Sequence, residues 1–514
     1  MFPTRRLFLK HASLASFGLW IPKTFAEATT TKLARSTPEA QGVSSQAILD
    51  FLDAVEREKF ELHSFMMLRH GQVIAEGWWE PYGPELVHTM YSMSKSFTST
   101  AVGFAVAEGK MSVDDKVVSF FPDDLPAKVS DNLAAMRVKD LLTMSTGNEK
   151  EPTQTVVKEE NWVRTFLAQS IAHKPGTQFM YNSAATYMCS AIVQKVTGKT
   201  VLKYLTPRLF EPLGISGMGW EMCPRGINTG GWGLSIQSEG LAKFGQLLLK
   251  KGQWNDKQLL PAAWIDEATR FHIQQPGEDK KDRPKAKNDW LQGYSYQFWR
   301  CQHGAFRGDG AFGQFTIVLP EQDAVIVMTS ENKNMQGQID LVWNHLLPAF
   351  DAKAPQAADL SRLKTLKLAP PKGRKTLPGI TSKSYKLETN DLGLKTASFA
   401  FEGGQCVFKA DKDTITCGLE SWLRGEAAFP GTPPRLISGG KPKSAVPSKI
   451  AASATWVDDS TLVMTWRYYE TPHSDTLTCK FDGDQVTISF LNSITAMNPK
   501  AKDTRAPLKG SMTT

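Results

Sequence analysis

The sequence predicts an α+β domain over residues 33–350, followed by a smaller all-β domain over 377–514. Three observations carry this reading. Strand-like apolar runs stand at both ends of the first region with mainly helical patterns between them, so its first and last strands are expected to share one antiparallel sheet. After Phe350 the texture changes to the Ala-, Lys- and Pro-rich stretch 351–376, which reads as a linker or extended crossover. Beyond it come short alternating segments, ASFAFEG, QCVFKA, LVMTWRY and QVTISFL, as expected of a small barrel or sandwich. A chain of 514 residues is also too long for one ordinary core.

In order along the chain, residues 1–28 come first. A basic opening, a short apolar stretch from Ala12 to Ile21 and then small residues give the layout of an export signal, with cleavage expected after Ala26 or Ala28. Arg5 and Arg6, followed by Phe8, Leu9 and Lys10, resemble a twin-arginine signal and imply a periplasmic destination. The apolar part is too short for a stable anchor, and no run approaches ~18 apolar residues, so no membrane-spanning helix is expected in the mature chain. Ile48, Leu49, Leu52 and Val55 recur at helical spacing. SFMMLRHGQVIAEGWW reads as a hairpin turning at His70-Gly71. From Ser92 a helix is expected to run to a C-cap at Gly109, with Phe97, Ala101, Val102 and Ala105 on one side. Further helices are expected at 138–144, 184–197, 238–251 and 261–270, and strands at 313–320 and 324–330. In the last region Asp482-Gly483 between two alternating runs marks a hairpin.

Charge excludes one class of function. The formal net charge is +8, but Arg5, Arg6, Lys10 and Lys23 lie in the signal, leaving +4 after cleavage. Residues 351–376 carry seven Lys or Arg against two Asp, so the remainder is near neutral. No concentrated basic face is available for nucleic acid. The six cysteines, at 189, 223, 301, 406, 417 and 479, show no metal-binding spacing. Cys406 and Cys417 could meet on neighbouring strands, but packed free thiols are the expectation.

The chemistry centres on YSMSK, residues 91–95. On a helix, positions i and i+3 share a face, so Lys95 can reach the Ser92 hydroxyl. A Ser92 in the first turn would also keep its backbone N–H for an oxyanion. The pattern S-x-x-K alone decides nothing, because it recurs at Ser361–Lys364 and Ser438–Lys441. Context decides. HSFMMLRHGQVIAEGWW before the motif, VKDLLTMSTG after it, then PGTQFMYNSAATYMCSAIVQKVTGKT and GGWGLSIQSEGLAKFGQLLLKKGQW follow in order. Over about Ser36 to Ser330 the chain resembles the class C β-lactamase-like serine hydrolases. That family includes penicillin-binding DD-peptidases, carboxylesterases and 6-aminohexanoate-dimer hydrolases.

The resemblance implies a β-lactamase/transpeptidase-like fold, an antiparallel sheet flanked by a helical region. It implies Ser92 as acylated nucleophile and Lys95 as its partner, with Tyr181 of YNS, 89 residues further on, as the third catalytic residue and a proton shuttle if cationic neighbours lower its pKa. Two departures stand out. Ser183 takes the place of the lactamase asparagine, with Asn182 adjacent. The K-T-G motif is replaced by FRGDGAFGQF, similar to the esterase and oligomer-hydrolase branch, with Gly308 at the lysine position and Gly310 at the glycine. Ala311 N–H would be the second oxyanion donor beside Ser92 N–H. Arg307 should face away from the side of Gly308. Without a cation for a substrate carboxylate, an ester or non-lactam amide in a small molecule is the expected substrate.

No metal or cofactor is implied. A DD-peptidase or β-lactamase acting on cell-wall fragments stands as the enzymatic alternative, and a catalytically silent ligand- or wall-binding protein as the non-enzymatic one. No G-x-S-x-G surrounds any serine, so His63, His70, His88 and His303 are read as turn or surface residues. Trp78, Trp79, Trp162, Trp220 and Trp232 are read as core.

Overall fold

A computed structural model describes residues 32–351, 355–374, 382–437, 447–498 and 500–513. The export signal therefore lies outside the described residues. In the first region six strands form one sheet: β1 (Leu62–Arg69), β2 (Gln72–Trp78), β3 (Trp299–Arg300), β4 (Phe306–Gly310), β5 (Gln314–Leu319) and β6 (Ala324–Ser330), in the spatial order β2-β1-β6-β5-β4-β3. As the terminal runs predicted, the early strand β1 pairs antiparallel with the late strand β6, Phe65 opposite Met328 and Leu68 opposite Val325. The β1–β2 hairpin turns at His70 and Gly71, both at positive φ (51° and 77°), as a tight two-residue turn requires.

β1 reads as a continuous apolar run because both of its faces are covered. Met66 and Leu68 join the core beneath the helical region, whereas Leu62, Phe65 and Met67 join a second core under the terminal helices. Helix α1 (Ser45–Arg57) closes that second side through Ile48, Phe51, Leu52 and Val55. Opposite it lie α2 (Ser94–Ala107), α3 (Ser183–Thr197) and α4 (Ser238–Leu249). The sequence suggests a one-sided α2, but every residue from Ser94 to Ala105 is buried. Gly103 explains part of this, since a β-carbon there would stand 2.3 Å from the Trp264 indole nitrogen. Two hydroxyls of this helix bond within the fold: Ser94 Oγ accepts from Leu234 N at 3.0 Å and Thr98 Oγ1 donates to Gly230 O at 2.9 Å.

The described part of 355–374 packs on the first region. Ser361–Lys364, the second S-x-x-K, is a 3₁₀ turn, and Leu363 and Leu366 lie against Gly77 of β2. Ten further strands follow: β7 (Lys383–Leu387), β8 (Thr396–Glu402), β9 (Gln405–Ala410), β10 (Asp413–Leu419), β11 (Leu423–Ala427), β12 (Ser448–Trp456), β13 (Thr461–Arg467), β14 (Ser474–Asp482), β15 (Gln485–Asn492) and β16 (Leu508–Met512). They form one antiparallel sheet that a parallel β10–β12 pairing closes into a barrel around Trp456, Trp466, Phe399 and Phe408. Cys406 and Cys417 are directly opposed on β9 and β10, and all six cysteines are free and buried.

The barrel meets the first region through polar contacts. Thr89 N donates to Glu470 O at 3.0 Å, and Arg467 forks onto Glu61 at 2.6 and 3.0 Å. Burial alone would raise the Glu61 pKa, but Arg467 holds the carboxyl far below its ordinary range. His63 continues this network, 3.2 Å from Glu61, 3.0 Å from His88 and stacked on Tyr82. His63 and His88 are therefore not turn or surface residues, because both are buried in an inter-domain network. His70 and His303 do sit at exposed turns. Among the described residues no helix is long and apolar enough to cross a membrane.

Candidate active site

Ser92 occupies the middle of a 3₁₀ turn, Tyr91–Met93, that leads into α2. The helix thus begins two residues later than the periodicity suggests. In this turn the Ser92 N–H has no intrahelical acceptor, and the half-buried side chain is reachable. One turn on, Lys95 is buried, with its ammonium 3.1 Å from Ser92 Oγ, 3.0 Å from Ser183 Oγ and 2.7 Å from Gly231 O. Three acceptors match its three protons. Burial nevertheless lowers the Lys95 pKa to about 7, with Glu151 and Asp309 opposing only in part.

Tyr181 completes the group. It lies within hydrogen-bond reach of Ser92, and the Lys95 nitrogen stands 4.8 Å from its ring centroid. Its ring stacks on Trp299 at 5.7 Å. Burial, reinforced by Asp309, pushes the phenol pKa up rather than down. The cationic depression that a tyrosinate shuttle needs is therefore not found, and the group that burial brings toward neutrality is Lys95.

The two residues after Tyr181 part company. Asn182 is fully buried and faces away from Lys95, capping α3 by accepting from Ala185 N at 3.0 Å and donating to Thr146 and Asn148. Ser183 instead turns to Lys95. Its backbone N–H donates to Glu151 Oε1 at 3.1 Å, which holds the start of α3 in place.

Strand β4 runs along the other wall. A β-carbon on Gly308 would stand 2.4 Å from Met93 Sδ, and one on Gly310 would stand 2.1 Å from Met90 O. The two glycines thus let the strand close onto the nucleophile turn, bringing Ala311 to its end. Arg307 faces away from Gly308, as alternation predicts. It is buried against Asp309 (2.9 Å), Asp289 O (2.9 Å) and Cys301 Sγ (3.1 Å), with its guanidinium 4.4 Å from the Trp290 ring centroid. It is committed to structure and is not available to a substrate carboxylate.

Sequence reasoning missed several neighbours. Gly231 supplies only a carbonyl, and its side-chain-free approach to Ser183 O leaves no chemical signature in sequence. Glu151, Asp309 and Trp299 belong to no spacing pattern with Ser92. Trp79, Trp162, Trp220 and Trp232 are core, and Trp78 is partly buried against it. A cavity of about 560 Å³ between β2 and the 355–374 segment, lined by Trp78, Tyr82, Leu363 and Leu366, contains none of the residues around Ser92.

Comparison with known proteins identifies the family and the fold. The Beta-lactamase family profile matches residues 54–346. The 6-aminohexanoate-dimer hydrolase of Paenarthrobacter ureafaciens is 24% identical over 316 residues, covering 57% of this chain and 79% of that protein. The β-lactamase of Escherichia coli (strain K12) is 21% identical over 314 residues, covering 52% and 81%. A solved Bacillus anthracis structure, provisionally described as a 6-aminohexanoate-dimer hydrolase, superposes with a TM-score of 0.51 at 18% identity, covering 62% of this chain and 87% of its own. That likeness establishes the shared fold.

Proposed function

The chain belongs to the Beta-lactamase family, and from that premise we propose that it is an exported serine hydrolase that cleaves an ester or linear amide through an acyl-enzyme on Ser92. The observation that carries the reading is the 3.1 Å contact between Lys95 Nζ and Ser92 Oγ in a buried setting that brings the lysine to neutrality near pH 7. Unprotonated Lys95 takes the Ser92 proton as Oγ attacks the carbonyl carbon. The oxyanion is received by the N–H groups of Ser92 and Ala311. Tyr181, held in its protonated form, donates to the departing alkoxide or amine and is reprotonated from Lys95. Water then attacks the acyl carbon and gives its proton to Lys95, which returns it to the departing Ser92 Oγ as the acid is released, restoring both groups. No metal or cofactor enters these steps.

The substrate class follows from charge. A β-lactam or peptide C-terminus presents a carboxylate, but Gly308 replaces the expected lysine and Arg307 is occupied by Asp309. Glu151 and Asp309 add negative charge near Lys95. This favours an ester or a linear amide without a neighbouring carboxylate over DD-peptidase or β-lactamase action on cell-wall fragments. Export is read from residues 1–28 and implies work in the periplasm.

Intact mass after fluorophosphonate treatment, beside p-nitrophenyl acetate turnover, tests the reading. A single adduct and turnover in wild type, both lost in Ser92→Ala, are expected. Rapid hydrolysis of a chromogenic cephalosporin would overturn the substrate assignment. Ligand binding without turnover, unaffected by Ser92→Ala, would turn the reading to a binding protein.

A further inference from the structure

The two peptide groups proposed to receive the oxyanion are each flanked by a residue in an unfavourable backbone conformation. Tyr91, immediately before Ser92, has φ +46°, and Phe312, immediately after Ala311, has φ +68°. Neither is a glycine, and side chains with a β-carbon leave this region unless their surroundings hold them there.

The surroundings that hold them include the barrel. The rings of Tyr91, Phe312 and His473 form a triangle, with centroids 5.5 Å apart for Tyr91–Phe312, 4.9 Å for Phe312–His473 and 5.6 Å for Tyr91–His473. The Tyr91 hydroxyl hydrogen-bonds His473 Nε2. His473 Nδ1 lies 2.6 Å from Glu331 Oε1, which also accepts from Ser493 Oγ at 2.5 Å. His473 is 1% exposed. Its own backbone is fixed by the turn joining β13 to β14, where Tyr468 N donates to His473 O at 3.0 Å. Next to Glu331, Asn332 N donates to Phe312 O at 2.9 Å. The Tyr91–Met93 turn and the end of β4, both in the first region, are thus gripped by one cluster whose central imidazole comes from the barrel.

We propose that His473, carried on the C-terminal barrel, is a positioning residue for the pair of N–H groups at Ser92 and Ala311, a proposal that rests on their assignment above as the oxyanion site. Through Tyr91 and Phe312 it fixes the two peptide planes, and a displacement of either plane weakens donors that matter most when charge develops on the carbonyl oxygen. This gives the barrel a role in the reaction although it supplies no group that touches substrate.

His473→Phe keeps the ring packing and removes both hydrogen bonds, and Tyr91→Phe removes only the hydroxyl. Both would be measured for p-nitrophenyl acetate turnover, for inhibition by phenylboronic acid, which forms a tetrahedral adduct, and for active-site titration by fluorophosphonate. Expected is a fall in kcat of about tenfold or more with KM within about twofold, boronate affinity falling by the same factor, and a double variant no worse than His473→Phe alone. A full titration amplitude would show that the remaining molecules are all competent. Unchanged kcat and boronate affinity in Tyr91→Phe would overturn the proposal, as would a reduced amplitude with wild-type kcat per titrated site, which marks a merely structural role. If His473→Phe does not fold, Tyr91→Phe alone decides by the same criteria. An adduct that persists in Ser92→Ala would overturn the nucleophile assignment and the proposal together, whereas a Ser92-dependent adduct with unaffected variants overturns the proposal alone.

Discussion

Ser183 Oγ lies 3.0 Å from Lys95 Nζ, which also stands 3.1 Å from the Ser92 hydroxyl oxygen. The position carries asparagine in the lactamases that this chain resembles, and a hydroxyl is enough to accept one ammonium proton. Removing it withdraws a partner of the charged form only. Ser183→Ala should therefore lower the Lys95 pKa further, moving the rising limb of the pH–rate profile to lower pH, while the loss of orientation lowers kcat about tenfold. Ser183→Asn should keep the limb near its original place. A profile for Ser183→Ala that moves to higher pH would contradict the contact's role.

The limb itself has a defined position. Burial brings Lys95 to about 7, so the unprotonated fraction grows as pH rises through that value and kcat/KM should grow with it, levelling above pH ~8. Lys95→Arg holds its proton throughout this range. It should lose about 10³-fold or more in turnover and show no such limb. Stopped-flow acylation by p-nitrophenyl acetate between pH 5 and 9 reads both.

Gly310 tests the approach of strand and turn. A methyl group there would sit 2.1 Å from the Met90 carbonyl oxygen, a backbone atom that cannot swing aside. Gly310→Ala must push β4 away from the Ser92 turn. We expect a loss of about 2–3 kcal/mol in unfolding free energy and a fall in acylation rate larger than the population of folded protein explains. Urea titration beside fluorophosphonate labelling rates separates the two effects. Wild-type labelling in a fully folded Gly310→Ala would remove the glycine from the account.

The sheet and most helices were legible in sequence because their signals are local. β1 and β6 announce themselves as β-branched and Met-rich runs, and His70-Gly71 as a turn. Ser92, Lys95 and Tyr181 were legible through motif order, which fixes spacing but not environment. What sequence could not supply is contact between segments far apart in the chain. His63 and His88 look like surface histidines until Glu61 and, from the other domain, Arg467 close over them. His473 lies 381 positions beyond Ser92 with no pattern linking them. The start of α2 was displaced for a similar reason, since the positive φ of Tyr91 is imposed by the rings around it and not by its own preference.

The inter-domain pair Arg467–Glu61 gives the last prediction. Arg467 is nearly buried, whereas the Glu61 side chain keeps 31% of its surface exposed, so solvent screens part of the attraction. Glu61→Gln should cost about 1–2 kcal/mol at pH 7, less than a fully buried pair would. The sign with pH follows from the direction of the shift. Glu61 is held below its unfolded pKa by Arg467, so its contribution is complete above pH ~4.5 and is lost as pH falls below that value toward the folded pKa. The stability gap between wild type and Glu61→Gln, measured by urea unfolding at fixed pH, should hold from pH 7 to about 5 and narrow below 4.5. A gap that widens on acidification would mean that the carboxyl is not stabilised by Arg467. Because Arg467 is the barrel's side of this pair, the barrel should also detach from the first region at lower denaturant in this variant, exposing Trp422, which packs beside Tyr82 and Tyr469, to quenching before the core tryptophans Trp162 and Trp232.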